Sequence, residues 1–235
     1  MGNLTANCTI AGDFLVALQL ADSALPIGRY VHSSGMEGIL DELPNDSEKV
    51  REVVEAALTH GIGRSDAVAA AHAHRVFLTG DLELLHAIDA LLLATKILMP
   101  VRTASTSCGR QLAKLATKIW PHDLLDAFCQ EVLVREAGNL SVVSAALAAS
   151  CGICVENTVM AELRGAASGM FSAAVRLGRM GPVDAQMQLH QCVPAIIRAT
   201  ETALRLDLED MSSTTPELDI AMLQLQRNPL RLFAT

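Results

Sequence analysis

His32, Ser33 and Glu37 stand close together in the stretch QLADSALPIGRYVHSSGMEGIL, residues 19–40. These are residue types that move protons or attack carbonyls. A hydrolytic triad is assembled from residues that meet in space, however, and side chains adjacent on one turn seldom aim at one another. Hydrogen bonds that fix the loop or cap the next helix are the better reading of His32 and Ser33. Two other groups carry metal-binding chemistry. Cys151 and Cys154 form a lone CxxC with no second pair, and His72 and His74 diverge by about 200° around a helix. Neither spacing makes a metal site, and the cysteines read as small apolar residues of a packed helix. The glycine-containing 28–35 stretch lacks the lysine of a phosphate-binding G-x-x-x-x-G-K-[ST] loop, which argues against a GTPase. No catalytic residue, cofactor or metal ligand is assigned.

The elements that hold this stretch are legible around it. An apolar run at 14–21 stops at Asp22 and Ser23, and Pro26 fixes its own φ while pushing Leu25 out of the helical region. Gly28 allows a turn. Ser33, Ser34 and Gly35 then lead into a second apolar run with Met36, Ile39 and Leu40, and Glu37 lies in its first turn, where the helix dipole favours an anion. The expectation is helix, rigid polar loop, helix.

Helical spacing continues down the chain. Asn45 and Glu48 make a capping-box-like start for Val50, Val53, Val54, Ala57 and Leu58, with an end at Gly61 or Gly63. A second helix runs from Ser65 to Gly80, and Asp81 caps a third, ended by Pro100; short connections make these antiparallel neighbours. Pro121, His122 and Asp123 open another helix. Pro182 begins a long last one that kinks near Pro194 and fades by Asp210. No β period persists and no repeat appears. The fold class expected is all-α: one domain over 1–235, a bundle of roughly ten helices with an irregular N-terminal loop, and flexible termini at 1–12 and 211–235.

Apolar residues make up 51% of the 235 and aromatics only 3%, so the core must be built from Ala, Leu, Val, Ile and Met. A mean hydropathy of +0.32 calls for either a membrane or large protein interfaces. The uncharged 137–155 stretch is the best candidate span, but Asn139, serines and glycines dilute it and no basic cluster flanks it, so a buried helix is preferred. The N-terminus has no basic segment before Phe14, which does not read as a signal peptide and points to the cytoplasm. Six cysteines scattered through apolar helical pattern read as free thiols. A net charge of -8 argues against nucleic-acid binding.

Asp22, Ser23, Pro26, Gly28, His32, Ser33, Gly35 and Glu37 match a pattern close to D-S-x-x-P-x-G-G-F-x-H-S-x-G-x-E, the signature of the urease accessory protein UreF family, which this chain resembles. Three further blocks agree. Arg102, Ser105, Gly109 and Leu112 match R-x-x-S-x-x-x-G-x-x-L, and a serine and glycine on one helical face leave room for another helix. Ser172, Ala173, Ala174, Arg176, Leu177, Gly181 and Gln186 match a second block. Leu218, Asp219 and Ile220, then Arg231, Leu232 and Phe233, match the family's C-terminal end. The chain departs at Arg29, where a second glycine is usual, at Tyr30, where Phe is commoner, at Leu225 and Gln226, where His-Glu is common, and at Thr235, which replaces a terminal Ser.

The resemblance implies a homodimeric helical scaffold that performs no bond chemistry. It would link the UreG GTPase to UreD (UreH) and apo-urease, and modulate GTP hydrolysis while nickel is delivered. Partner contacts are expected at Pro26, Gly28, Tyr30, His32, Ser33, Gly35, Glu37, Arg176, Arg231, Leu232 and Phe233. The rival reading is a ligand-sensing, all-helical, dimeric transcriptional regulator. It would want a basic helix-turn-helix near one end, and the first sixty residues do not carry one.

Overall fold

The computed structural model describes residues 12–43, 45–225 and 233. The expected tail contacts Arg231 and Leu232 lie outside the described residues, as do residues 1–11 of the expected N-terminal flexible segment. Twelve α-helices and no strand occur among the described residues, in line with the all-α expectation.

Helices α4 (Asp66–Thr79) and α8 (Leu140–Ser150) pack together at the centre. Both are rich in alanine, and Ala67, Ala69, Ala70, Ala71 and Ala73 of the first and Ala145 and Ala146 of the second are all buried. Small side chains let the two backbones approach closely. Around this pair stand α5 (Leu82–Thr95), α6 (Met99–Ile119), α7 (Asp123–Val134) and α9 (Val155–Arg176). Helix α8 spans 11 residues, about half the length needed to cross a bilayer at 1.5 Å per residue. No helix among the described residues is long and apolar enough to cross a membrane. The 137–155 stretch is therefore the buried helix with a turn at each end.

Local chemistry explains most boundaries. Asp81 caps α5 by accepting from the Leu84 amide at 2.9 Å, and Pro100 opens α6 in its first turn. The last long helix is two, α10 (Pro182–Gln191) and α11 (Val193–Arg205), separated at Cys192 with Pro194 in the first turn of the second. Helix α3 (Ser47–Ala56) departs from expectation twice. Its cap is Asp46, which accepts from the Glu48 amide, while Asn45 takes a hydrogen bond from Arg179 instead. It also packs on α9 and α10 rather than beside α4, because a π-helix over Ala57–Ile62 redirects the chain between them.

The C-terminal segment differs more. Composition reads 211–225 as part of a flexible tail. In the fold, the Ser212 and Thr214 amides donate to the carbonyls of Arg64 and His60, and Pro216–Leu225 forms α12 against α2 (Met36–Glu42). Leu218, Ala221, Met222 and Leu225 are buried there. Apolar spacing at i, i+3, i+4 and i+7 outweighs the linker-like Ser-Thr run before it.

Candidate functional site

The 26–37 loop begins where α1 (Gly12–Ala21) ends, with Asp22 accepting from the Ala24 amide at 2.8 Å. Pro26 and Gly28 are exposed, Ile27 is buried, and one turn of 3-10 helix covers Arg29–Val31. Gly28, Ser34 and Gly35 all sit at left-handed φ, 83°, 53° and 85°. Ser34 is the costly one, since a side chain disfavours that region. Between these turns Ser33 is fully buried.

Helix α2 then meets α12 over two glycines. A Cβ at Gly35 would press on Leu218 and Met222, and one at Gly38 would run into the Ala221 backbone carbonyl. Glu37, buried on the same helix, accepts a hydrogen bond from the Phe233 amide at 3.2 Å. The Phe233 ring is in turn covered by the Arg176 guanidinium, 4.3 Å from its centroid. Arg176 is exposed at the end of α9 and donates to the Ser172 carbonyl at 3.3 Å. Solvent, a carbonyl and an aromatic face thus satisfy the cation. Three stretches far apart in sequence converge here: the N-terminal loop, the end of α9 and the C-terminus.

The remaining predicted residues face elsewhere. Tyr30 borders a 450 Å³ groove with Arg164, Phe171, Pro182 and Leu189. His32 is half-buried, and burial lowers its pKa so that the neutral ring is favoured. Together with Ser34 it lines a second, 220 Å³ cavity behind the loop.

Arg29, the departure from the resembled pattern, points inward. Its guanidinium pairs with Glu162 of α9 at 2.9 Å, and their side chains are 20% and 10% exposed. Burial alone would make it less basic, but the Glu162 carboxylate outweighs that and raises its pKa. Gly165 provides the space, since a Cβ there would collide with the guanidinium.

Two polar centres that sequence reasoning missed hold the surrounding helices. Asp66 accepts from Lys96 at 2.7 Å and from Ser141 and Ser65 at 3.0 and 3.1 Å. Burial alone would push its carboxyl pKa up; Lys96 and the two hydroxyls override this and bring it below the ordinary value. Asp89 accepts from the amides of Gly138 and Asn139 and from the Asn139 side chain, and Ser105 donates to Asn139 at 3.0 Å. Beside it, a Cβ on Gly109 would strike the Gly138 carbonyl. Ser105 and Gly109 are thus packing residues. A single acid inside the apolar spacing of α5 was the available signal for Asp89.

No group of three metal-binding side chains occurs among the described residues. His72 and His74 each donate Nε2–H to a backbone carbonyl, of Leu206 at 2.9 Å and Ile153 at 2.7 Å. Cys151 and Cys154 are not inside a packed helix, as their spacing implied. They flank the turn between α8 and α9, with Cys154 exposed, because Gly152 at φ 78° ends the helix between them.

A family model described as UreF matches residues 45–193, more than half of the chain. The chain belongs to the UreF family. Among its relatives, the urease accessory protein UreF of Trichodesmium erythraeum (strain IMS101) is 31% identical over 225 residues, 94% of this chain and 96% of the relative. The UreF of Trichormus variabilis (strain ATCC 29413 / PCC 7937) is 29% identical over 221 residues, 94% of this chain and 95% of that one. That of Bacillus sp. (strain TB-90) is 25% identical over 221 residues, covering 93% and 97%. Each of these relatives is a urease accessory protein by name. The residues matched by the UreF model begin after the 22–37 signature, so the two lines of evidence are carried by different parts of the chain.

Proposed function

We propose that this chain is a urease maturation factor, a cytoplasmic, homodimeric scaffold that takes part in nickel insertion. It links the UreG GTPase to UreD (UreH) and apo-urease and modulates GTP hydrolysis during nickel delivery. The observation that carries this reading is the junction of Glu37, Phe233 and Arg176. It joins three blocks of family-like sequence, and among the described residues its groups, a carboxylate, an aromatic ring and a guanidinium, are engaged with one another. Residues shared with a family of accessory proteins and gathered at one junction fit a grip on other proteins.

Apolar exposure supports the same reading. Helix α1 buries none of its side chains, and Phe14, Leu15 and Leu18 are 64%, 64% and 52% exposed. Val183 and Met187 of α10 are also exposed, and the groove beside Tyr30 runs between the end of α1 and α9 and α10. Surface of this kind is covered in a working assembly.

The test is capture. The tagged chain, purified from cells expressing the urease operon, is expected to retain UreG and a UreD-like protein and to sediment as a dimer when alone. A monomer that retains neither component would end this reading.

A further inference from the structure

The 220 Å³ cavity behind the loop is lined by the loop itself, the π-helix, the start of α4, the connection from α5 to α6, the first half of α6, the start of α8, the middle of α9, and α12 with the segment before it. At roughly 30 Å³ per water, it has room for a small organic molecule. Its walls are mainly aliphatic, with Ile62, Leu98, Val101, Leu140 and Met170 among them. Four of its charged groups cancel in pairs, Arg29 with Glu162 and Lys96 with Asp66.

Asp219 is the charge left over. It lines the cavity from the first turn of α12, and no ion pair or side-chain hydrogen bond engages its carboxylate among the described residues. Burial raises its pKa, with no neighbouring cation to oppose the effect. An acid in this turn also complements the helix dipole, but exposed Glu217 in the same turn does that without a cavity.

We propose that this cavity binds a small organic cation, an alkylammonium or alkylguanidinium, with its charged head on Asp219 and its aliphatic body against the walls. A half-buried, unpaired carboxylate at the edge of a largely apolar chamber offers such a ligand a partner for its charge and a surface for its body. Because α12 supplies the carboxylate and α6 and α9 supply the facing walls, the bound cation ties the C-terminal helix to the body of the protein. This goes beyond the scaffold reading and does not depend on it.

The test uses the full-length protein and three probes of one shape: n-butylammonium, n-butanol and butyrate, titrated calorimetrically at fixed ionic strength. Butylammonium is expected to bind at one site at least about ten-fold more tightly than either of the others, as a charge-assisted contact requires. Asp219→Asn should remove that preference, and Ala104→Leu, which fills the cavity from α6, should remove binding altogether. Hydrogen exchange across 216–225 should slow when butylammonium is added to the wild type. Absence of binding, equal affinity for n-butanol, or a preference surviving in Asp219→Asn would overturn the proposal. Tighter binding of butyrate would overturn it too, and would assign the cavity to Arg29 and Lys96. Capture of UreG and the UreD-like protein is a separate readout, so failure here is distinguishable from failure of the scaffold reading.

Discussion

Arg29 replaces a glycine of the resembled pattern, and Glu162 and Gly165 are what make it tolerable. Removing either partner strands a largely buried charge. Arg29→Ala and Glu162→Ala are each expected to cost about 3 kcal/mol in urea unfolding, whereas Arg29→Met with Glu162→Leu should recover much of the loss. Losses that simply add would show that the pair is not coupled. Gly28 faces no crowding, but its φ of 83° disfavours a β-branched residue. Gly28→Val should distort the loop and lower urease activation in cells, and full activation would show that the turn is dispensable. Asp66 has a pH signature. Its pKa is lower in the fold than in the unfolded chain, so the unfolded state binds more protons as pH falls below about 4. The stability it contributes is present above that pH and is lost as pH drops through the folded value. Asp66→Asn should flatten the acid limb of a stability-against-pH curve, and an unchanged limb would assign acid unfolding to other carboxylates.

At the scale of elements, two glycines set how closely helices lie. Gly38→Ala should favour α2 by about 1 kcal/mol from intrinsic propensity, yet its Cβ meets the Ala221 carbonyl and α12 must move away. Amides of 216–225 are therefore expected to exchange at least about ten-fold faster while the far-ultraviolet helical signal is kept. Gly109→Ala faces a less forgiving neighbour, since Asp89 pins the Gly138–Asn139 backbone in place. Its expected cost is about 2 kcal/mol overall, within the range for overpacking, read as a lower urea midpoint. If Gly109→Ala were stabilising, helix propensity rather than helix contact would govern that site.

For the whole molecule, the C-terminus ties the first loop to the end of α9. Deleting residues 230–235 removes Phe233 from Glu37 and Arg176 and touches none of the twelve described α-helices. The shortened chain should keep its helical signal and capture less UreD-like partner. Capture at the full level would place the grip elsewhere, with the exposed face of α1 the next candidate.

Much of this protein is written locally. The 3.6-residue spacing of apolar side chains and the breaks at Pro100, Pro121 and Pro182 were enough for an all-α fold, because helices are made of contacts between near neighbours. The loop at 26–37 was legible for the same reason, since proline and glycine act on their own backbone. Tertiary structure alone decided which distant residues meet. Nothing in the spacing of Arg29 and Glu162, or of Glu37 and Phe233, foretells their contact. Nor does the Ser-Thr run before α12 announce that the apolar face after it will be buried against Gly35 and Gly38. A helix bundle places its helices by side-chain volume and by the few polar groups that must find partners on burial. Those are properties of the packed whole, and no single stretch contains them.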